Sequence, residues 1–303
     1  MKTLRELGED GLIERLVRLV PTEVGAAGPG DDCAVVETGG GALQLLKTDA
    51  LVERVHFLPE TPARAVGWKS VARVISDFAA MGGRPERFLV TLALVPETAV
   101  EWVEELYRGI GDCLARYGGV VAGGETSSLP SGSAAVISIA ATGVVERDCL
   151  VLRSGGKVGD RVLVTGTLGG SIRGKHLDFH PRLLEAEWLV ARHRPTAMMD
   201  VSDGVAKDLP RLAAASGCGC RVDVGALPLT EGCSVEEGLG DGEDFELLMT
   251  VEEERVRDLL EEWRVAFPDL RLTEIGRLTE VGDGMEMKGG WEHFSNSLGN
   301  QES

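Results

Sequence analysis

The residues able to do chemistry in this chain are carboxylates set among glycines. Asp31 and Asp32 lie in GPGDDCAVV, Asp49 in LLKTDALVERVHF, Asp77 in ARVISDFAAMGG and Glu125 in VVAGGETSS. The second half adds Asp200 and Asp203 in MMDVSDGV, then Asp241, Glu243 and Asp244 in GLGDGEDFELL. These positions read as places where strands give way to glycine-rich loops. A carboxylate beside glycine has no neighbouring bulk, so several can converge on one hard cation, with water completing its shell. Taken singly, an Asp before Gly is turn chemistry. Asp32, Asp49 and Asp77 together, all in one half of the chain, exceed what turns alone require. Asp77 also sits in an apolar helical stretch beside Phe78 and Ala79, where a lone charge is costly unless something pairs with it.

Other sources of phosphate or nucleophile chemistry have no support. GGSIRGKH (residues 169–176) matches G-x-x-x-x-G-K, but it ends on His176 where a P-loop needs Ser or Thr for magnesium. No G-x-G-x-x-G follows an apolar strand, and G-x-S-x-G and H-E-x-x-H are absent. The six cysteines are scattered; only Cys218 and Cys220 are close, and no second pair stands at zinc spacing, so they read as reduced thiols.

Positioning these carboxylates falls to interleaved strands and helices. An amphipathic helix carries Leu12, Ile13, Leu16, Val17 and Val20 and ends at Pro21. Apolar runs at residues 33–36, 43–46, 88–95, 120–122 and 134–144 read as strands, and residues 68–81 and 100–117 as helices. The glycine-rich segment 146–160 reads as a connection. Beyond it, strands at 161–165, 221–224, 245–251 and 271–275 alternate with helices at 183–192, 205–215 and 252–263. Two α/β domains follow, residues 1–148 and 149–303. At 303 residues, with 43% hydrophobic and 26% charged content, the chain is globular, and its 40 glycines imply many tight turns. A net charge of −18 argues against nucleic acid and membrane surfaces, so a phosphate compound would need cations as intermediaries. No apolar stretch is long enough for a membrane span or forms a signal core, which makes the cytoplasm the expected location.

In order along the chain, PGDDCAVV, KTDALVERVHF, WKSVARVISDFAAMGGRP, AGGETS, VLRSGGKVGDRVLVTGTLGG, MDVSDGVAKDLPRLA, DGEDFELLMTV and GGWEHF resemble the motifs of the thiamine-monophosphate kinases. These belong to the aminoimidazole-ribonucleotide-synthetase-like ATP-binding superfamily, and the resemblance spans residues 28 to 294. It implies a two-domain fold in which the N-terminal α/β domain dimerises through its sheet and the C-terminal α/β domain caps it. ATP would lie at the junction, with several Mg²⁺ ions bridging its phosphates to aspartates. Carried over motif by motif, the metal ligands would be Asp32, Thr48, Asp49, Asp77, Glu125, Asp200 and Asp203. Gly124, Glu125, Arg153 and Ser202 would bind the nucleotide, and His56, Glu243 and Trp291 would face thiamine monophosphate. Asp49, Asp77 and Asp203 would be the catalytic members. The family's usual Asp is Glu125 here, and Lys47 places a positive charge beside the expected ligands.

The implied reaction is direct in-line transfer of the γ-phosphoryl group of ATP to thiamine monophosphate, giving thiamine diphosphate, by a homodimer. Two alternatives stay open: a superfamily enzyme acting on another small metabolite, and a nucleotide-binding paralogue without turnover.

Overall fold

One long apolar helix organises the molecule. In the computed structural model, which describes residues 2–22, 28–285 and 287–294, the elements in the first half run α1 (Leu4–Leu7), α2 (Glu9–Val17), β1 (Ala34–Glu37), β2 (Ala42–Val52), α3 (Ala63–Ala80), β3 (Arg84–Leu94), α4 (Val100–Tyr117), β4 (Val120–Ser128) and β5 (Val136–Glu146). The second half continues with β6 (Arg161–Thr165), α5 (Lys175–Asp178), α6 (Leu183–Arg192), β7 (Ala197–Asp200), α7 (Val205–Ala215), β8 (Gly219–Val222), α8 (Val235–Gly240), β9 (Leu247–Val251), α9 (Glu253–Ala266) and β10 (Leu272–Thr279). No helix among the described residues is long and apolar enough to cross a membrane.

The first sheet has the order β1-β2-β5-β3-β4, antiparallel except for the parallel pair β3–β4. Along β2, Leu43, Leu45 and Leu51 are buried, and Lys47 and Asp49 share their face because side chains alternate. Leu46 and Thr48 point to the other face. The buried face packs on α3, which in turn packs on α4. That helix pair is close enough to demand glycine: a Cβ on Gly67 would lie 1.9 Å from the Leu106 carbonyl oxygen, and one on Gly109 would lie 1.9 Å from that of Arg64.

The second sheet, β7-β9-β6-β10-β8, is antiparallel throughout. Its α7 side has its own core around Val164, Met199, Leu209 and Leu248. Its other side joins the core of the first sheet: Ile75, Phe78 and Met81 from the α3 region lie in one apolar cluster with Leu183, Leu247 and Trp263. The two sheets therefore share α3, which also touches α5, α6 and β7.

Two local expectations change. Asp49 and Glu125 lie inside strands β2 and β4, not where strands end, because β4 runs on through its glycines in register with β3 up to Ser128. The N-terminal helix ends at Val17, short of Pro21, and buries none of its residues.

Candidate active site at the junction of the sheets

The site begins with a stripe on α3. Lys69, Arg73 and Asp77 recur every four residues and so share one face of the helix. Lys69 is fully buried; its Nζ donates to Glu243 Oε2 (2.8 Å) and to the His56 carbonyl (2.6 Å), and meets His176 Nδ1 at 2.6 Å. Arg73 pairs with Asp49 at 3.2 Å. Asp77 pairs with Lys47, Nζ to Oδ1 at 2.7 Å. Burial pushes the Asp77 carboxyl well above the usual carboxylate range, and Lys47 opposes that push. Burial likewise works against the Lys47 charge, but Asp77 and Asp49 overcome it and raise its pKa.

Asp77 meets two other carboxylates. Oxygens of Asp32, Asp77 and Asp200 all lie within 4.8 Å of one another, and all three residues are buried. Asp32 arrives on the loop before β1, where Arg153 Nη2 holds its Oδ1 at 2.6 Å. Asp200 ends β7, and its Oδ2 accepts from Ser76 Oγ at 2.6 Å. Its pKa is raised to about 6, first by burial and then by Asp32. Asp32 Oδ2 is buried without a hydrogen-bond partner. Three converging carboxylates with an unused buried oxygen match the hard oxygen donor set of Mg²⁺, so the residues present fit such an ion.

Asp49, Asp77, Asp200, Ser202 and Asp203 line one cavity of about 730 Å³. His56, Glu243 and Trp291 line the same cavity, which brings eight of the expected residues together. The turn after β7 is shaped by Asp208, whose Oδ2 accepts from the N–H groups of Ser202 (3.0 Å) and Asp203 (2.9 Å). Asp203 pairs with Arg211 at 2.6 Å and Lys207 at 3.2 Å. Glu243 has φ +53° and Phe245 φ +49°, a left-handed conformation that costs a non-glycine residue about 1 kcal/mol or more. That turn is held by Glu243 N–H to Ser202 O (2.7 Å) and Phe245 N–H to Val201 O (2.8 Å). Lys69, His176 and Arg73 keep the Glu243 carboxyl well below its usual range despite burial. The Val52 N–H donates to His56 Nδ1 at 2.9 Å, and burial followed by Arg73 pushes the His56 pKa down to about 4. Trp291 is anchored through its backbone, N–H to Asp203 O and O from Lys207 Nζ.

Three expected residues stand apart. Thr48 is exposed on the outer face of β2, opposite to Asp49, and lines a neighbouring cavity of about 450 Å³ with Asp32 and Lys47. Gly124 and Glu125 lie on edge strand β4. The register Asp49–Ile139–Val90–Gly124 puts them three strands from β2, ~14 Å at ordinary strand spacing. Gly124 has a packing reason to be glycine, since a Cβ would come within 2.0 Å of the Val90 carbonyl oxygen.

Ser76, Lys69, Arg73 and Asp208 also shape the site, although none of them is among the residues that the resemblance implies. For Lys69 and Arg73, the charged stripe at intervals of four in an otherwise apolar helix is the signal the sequence offers.

Residues 30–145 match the family described as AIR synthase related protein, N-terminal domain, and residues 157–287 match its C-terminal domain. The chain is 37% identical to the thiamine-monophosphate kinase of Rhodopirellula baltica over 244 residues, 75% of this chain and 76% of that protein. It is 36% identical to the thiamine-monophosphate kinase of Aquifex aeolicus, covering 96% of this chain and 99% of that one. A solved structure of AaThiL complexed with AMPPCP and TMP superposes with a TM-score of 0.83 at 33% identity, covering 97% of this chain and 99% of that one. The chain belongs to the thiamine-monophosphate kinase family.

Proposed function

We propose that this chain phosphorylates thiamine monophosphate with ATP, giving thiamine diphosphate and ADP. The observation that carries this reading is the shared cavity: the residues expected to face the acceptor (His56, Glu243, Trp291) and those expected to face metal and nucleotide (Asp49, Asp77, Asp200, Ser202, Asp203) line the same space. Family membership supports it.

The acceptor is already a phosphate, largely dianionic at neutral pH because its second pKa is about 6, so no side chain has to remove a proton. An acceptor oxygen attacks the γ-phosphorus as the bond to the bridging oxygen breaks, and ADP leaves with the electron pair. The protein's task is alignment of two anions and neutralisation of their repulsion. Asp32, Asp77 and Asp200 would hold divalent cations, with Asp49 and Asp203 completing the acidic wall; such ions supply charge neutralisation at the transferring phosphoryl group. Arg153 and Ser202 would contact nucleotide, and Lys69 fixes the Glu243 carboxylate beside the acceptor space.

We also propose a homodimer formed through the outer face and β4 edge of the first sheet. Leu46, Leu89, Val120 and Val121 are 40–60% exposed there, and every residue of β4 is exposed. Pairing at this face would let Gly124 and Glu125 act toward nucleotide across the dimer, with Thr48 on the same outer face. The proposed division into units falls near residues 148 and 149, and the proposed location is the cytoplasm.

Coupled ADP release with and without thiamine monophosphate, beside an ATP-binding titration, tests the assignment. Release that requires thiamine monophosphate supports it. Release with only another acceptor, or nucleotide binding without release, favours one of the two alternatives above.

A further inference from the structure

The carboxylate cluster already contains a cation. Asp32, Asp77 and Asp200 bring oxygens of three carboxyl groups within 4.8 Å of one another, and each has one oxygen engaged: Asp32 by Arg153, Asp200 by Ser76 and Asp77 by Lys47. Lys47 reaches the cluster because β2 alternation turns it to the same face as Leu45 and Asp49. An ammonium group donates three hydrogen bonds and has no lone pair to offer a metal. At 2.7 Å from Asp77 Oδ1 it places a positive charge on the cluster and engages an oxygen that a divalent ion would otherwise use. The Arg153 guanidinium does the same on one side of Asp32 and leaves Asp32 Oδ2 unpartnered and buried, aimed at no protein donor.

We propose that Lys47 is a built-in monovalent cation that replaces one divalent ion in this site. It keeps the three carboxylates packed together before metal arrives, and the loaded site holds one divalent ion fewer than the same carboxylates would without it. This rests on the reading of the cluster as a metal site given under the proposed function. Its logic is charge counting: removing one fixed positive charge from a buried acidic cluster makes room and electrostatic demand for one more cation.

The test is a count of bound Mn²⁺ per protomer by equilibrium dialysis, with a β,γ-methylene ATP analogue present, alongside thermal melts with and without Mn²⁺. Lys47→Met should bind one more Mn²⁺ than the unaltered chain, melt lower without metal, and gain more stability from Mn²⁺. Lys47→Arg, which keeps the charge, should bind the same number as the unaltered chain. Should Lys47→Met fail to fold without metal, Lys47→Gln, which keeps a hydrogen-bond donor to Asp77, carries the same expectation. An unchanged count in the uncharged variants overturns the proposal. Asp77→Asn separates the two levels: if it lowers the count while the Lys47 variants do not move it, only the role of Lys47 is wrong. If Asp77→Asn leaves the count unmoved as well, the cluster is not the metal site and both readings fall.

Discussion

Ser76 Oγ, on a helix of the first half of the chain, donates to Asp200 Oδ2, at the end of a strand of the second half, at 2.6 Å. This contact crosses the junction at the acidic cluster itself. Asp200 sits beside Asp77 because one helix, α3, serves as a packing surface for both sheets, so the site depends on the two halves keeping a fixed relation. Ser76→Ala should therefore weaken metal binding more than it weakens folding. Losing one hydrogen bond to a buried carboxylate costs ~1–3 kcal/mol. A Mn²⁺ titration and a urea melt on the same variant separate the two effects.

Asp77→Asn should cut turnover at least about a hundredfold, because several kcal/mol of metal-borne charge stabilisation is at stake. A lone charge in an apolar helix would be costly, and deleting it would leave metal-free stability unchanged or raised. Its ion pair with Lys47 reverses that expectation: the buried ammonium would lose its counter-charge, and metal-free stability should fall by ~1–3 kcal/mol, as Asn keeps one acceptor. Steady-state kinetics and chemical denaturation check the two parts.

Lys69→Met removes the fully buried cation that holds Glu243. It should cost ~3 kcal/mol by taking the buried ion-pair partner from the Glu243 carboxylate, which keeps only the His176 ring and the more distant Arg73 charge. In the folded fraction, the KM for thiamine monophosphate should rise while ATP affinity holds, since Lys69 touches the acceptor side only. Equal losses in both affinities would place Lys69 in general scaffolding.

His56 gives a pH signature. Its ring accepts the Val52 N–H at Nδ1 and so is held neutral, with a folded pKa of about 4 against 6.5 for the free side chain. A His with a depressed folded pKa contributes stability that is full above the unfolded pKa. Between pH 6.5 and 4 the unfolded chain binds the proton and the folded chain does not, so that stability is lost as pH falls through this window. The gap in unfolding free energy between the unaltered chain and His56→Asn should be constant above pH 6.5 and shrink as pH falls from 6.5 to 4. Parallel curves would show that His56 is not held neutral.

The elements that proved legible were those whose pattern is local. The helix at Val100–Tyr117 and the strand at Arg161–Thr165 follow from apolar periodicity over their own residues. β7 carries no signal of its own: AMMD is four buried residues with no alternation, a strand only because β9 lies beside it. The glycines after Ala122 read as a loop in the sequence, whereas pairing with β3 carries β4 on through them as strand. The carboxylates were visible as types, but their partners were not. Nothing in the spacing tells that Lys47 meets Asp77 thirty residues on, or that Arg153 meets Asp32 from 121 residues away. Nor does the spacing tell that Gly124 and Glu125 stand apart from the cluster, which follows from the register across four strands.

That outer face yields a further expectation. Leu89→Glu places a charge in the middle of the exposed sheet, away from the cavity. Light scattering at micromolar concentration should give a dimer for the unaltered chain and a smaller mass for the variant. A monomer in both, with ATP and Mg²⁺ present, removes the dimer from the account.

If one cavity brings ATP and thiamine monophosphate together, the γ-phosphoryl group passes directly from one to the other. Incubation with γ-³²P-labelled ATP, Mg²⁺ and thiamine monophosphate, followed by separation of products and of protein, tests it most directly. Direct transfer puts label in thiamine diphosphate, leaves none on the protein, and gives no transfer when thiamine monophosphate is left out. Label released as inorganic phosphate regardless of thiamine monophosphate, or label held on the protein and passed on later, would contradict it.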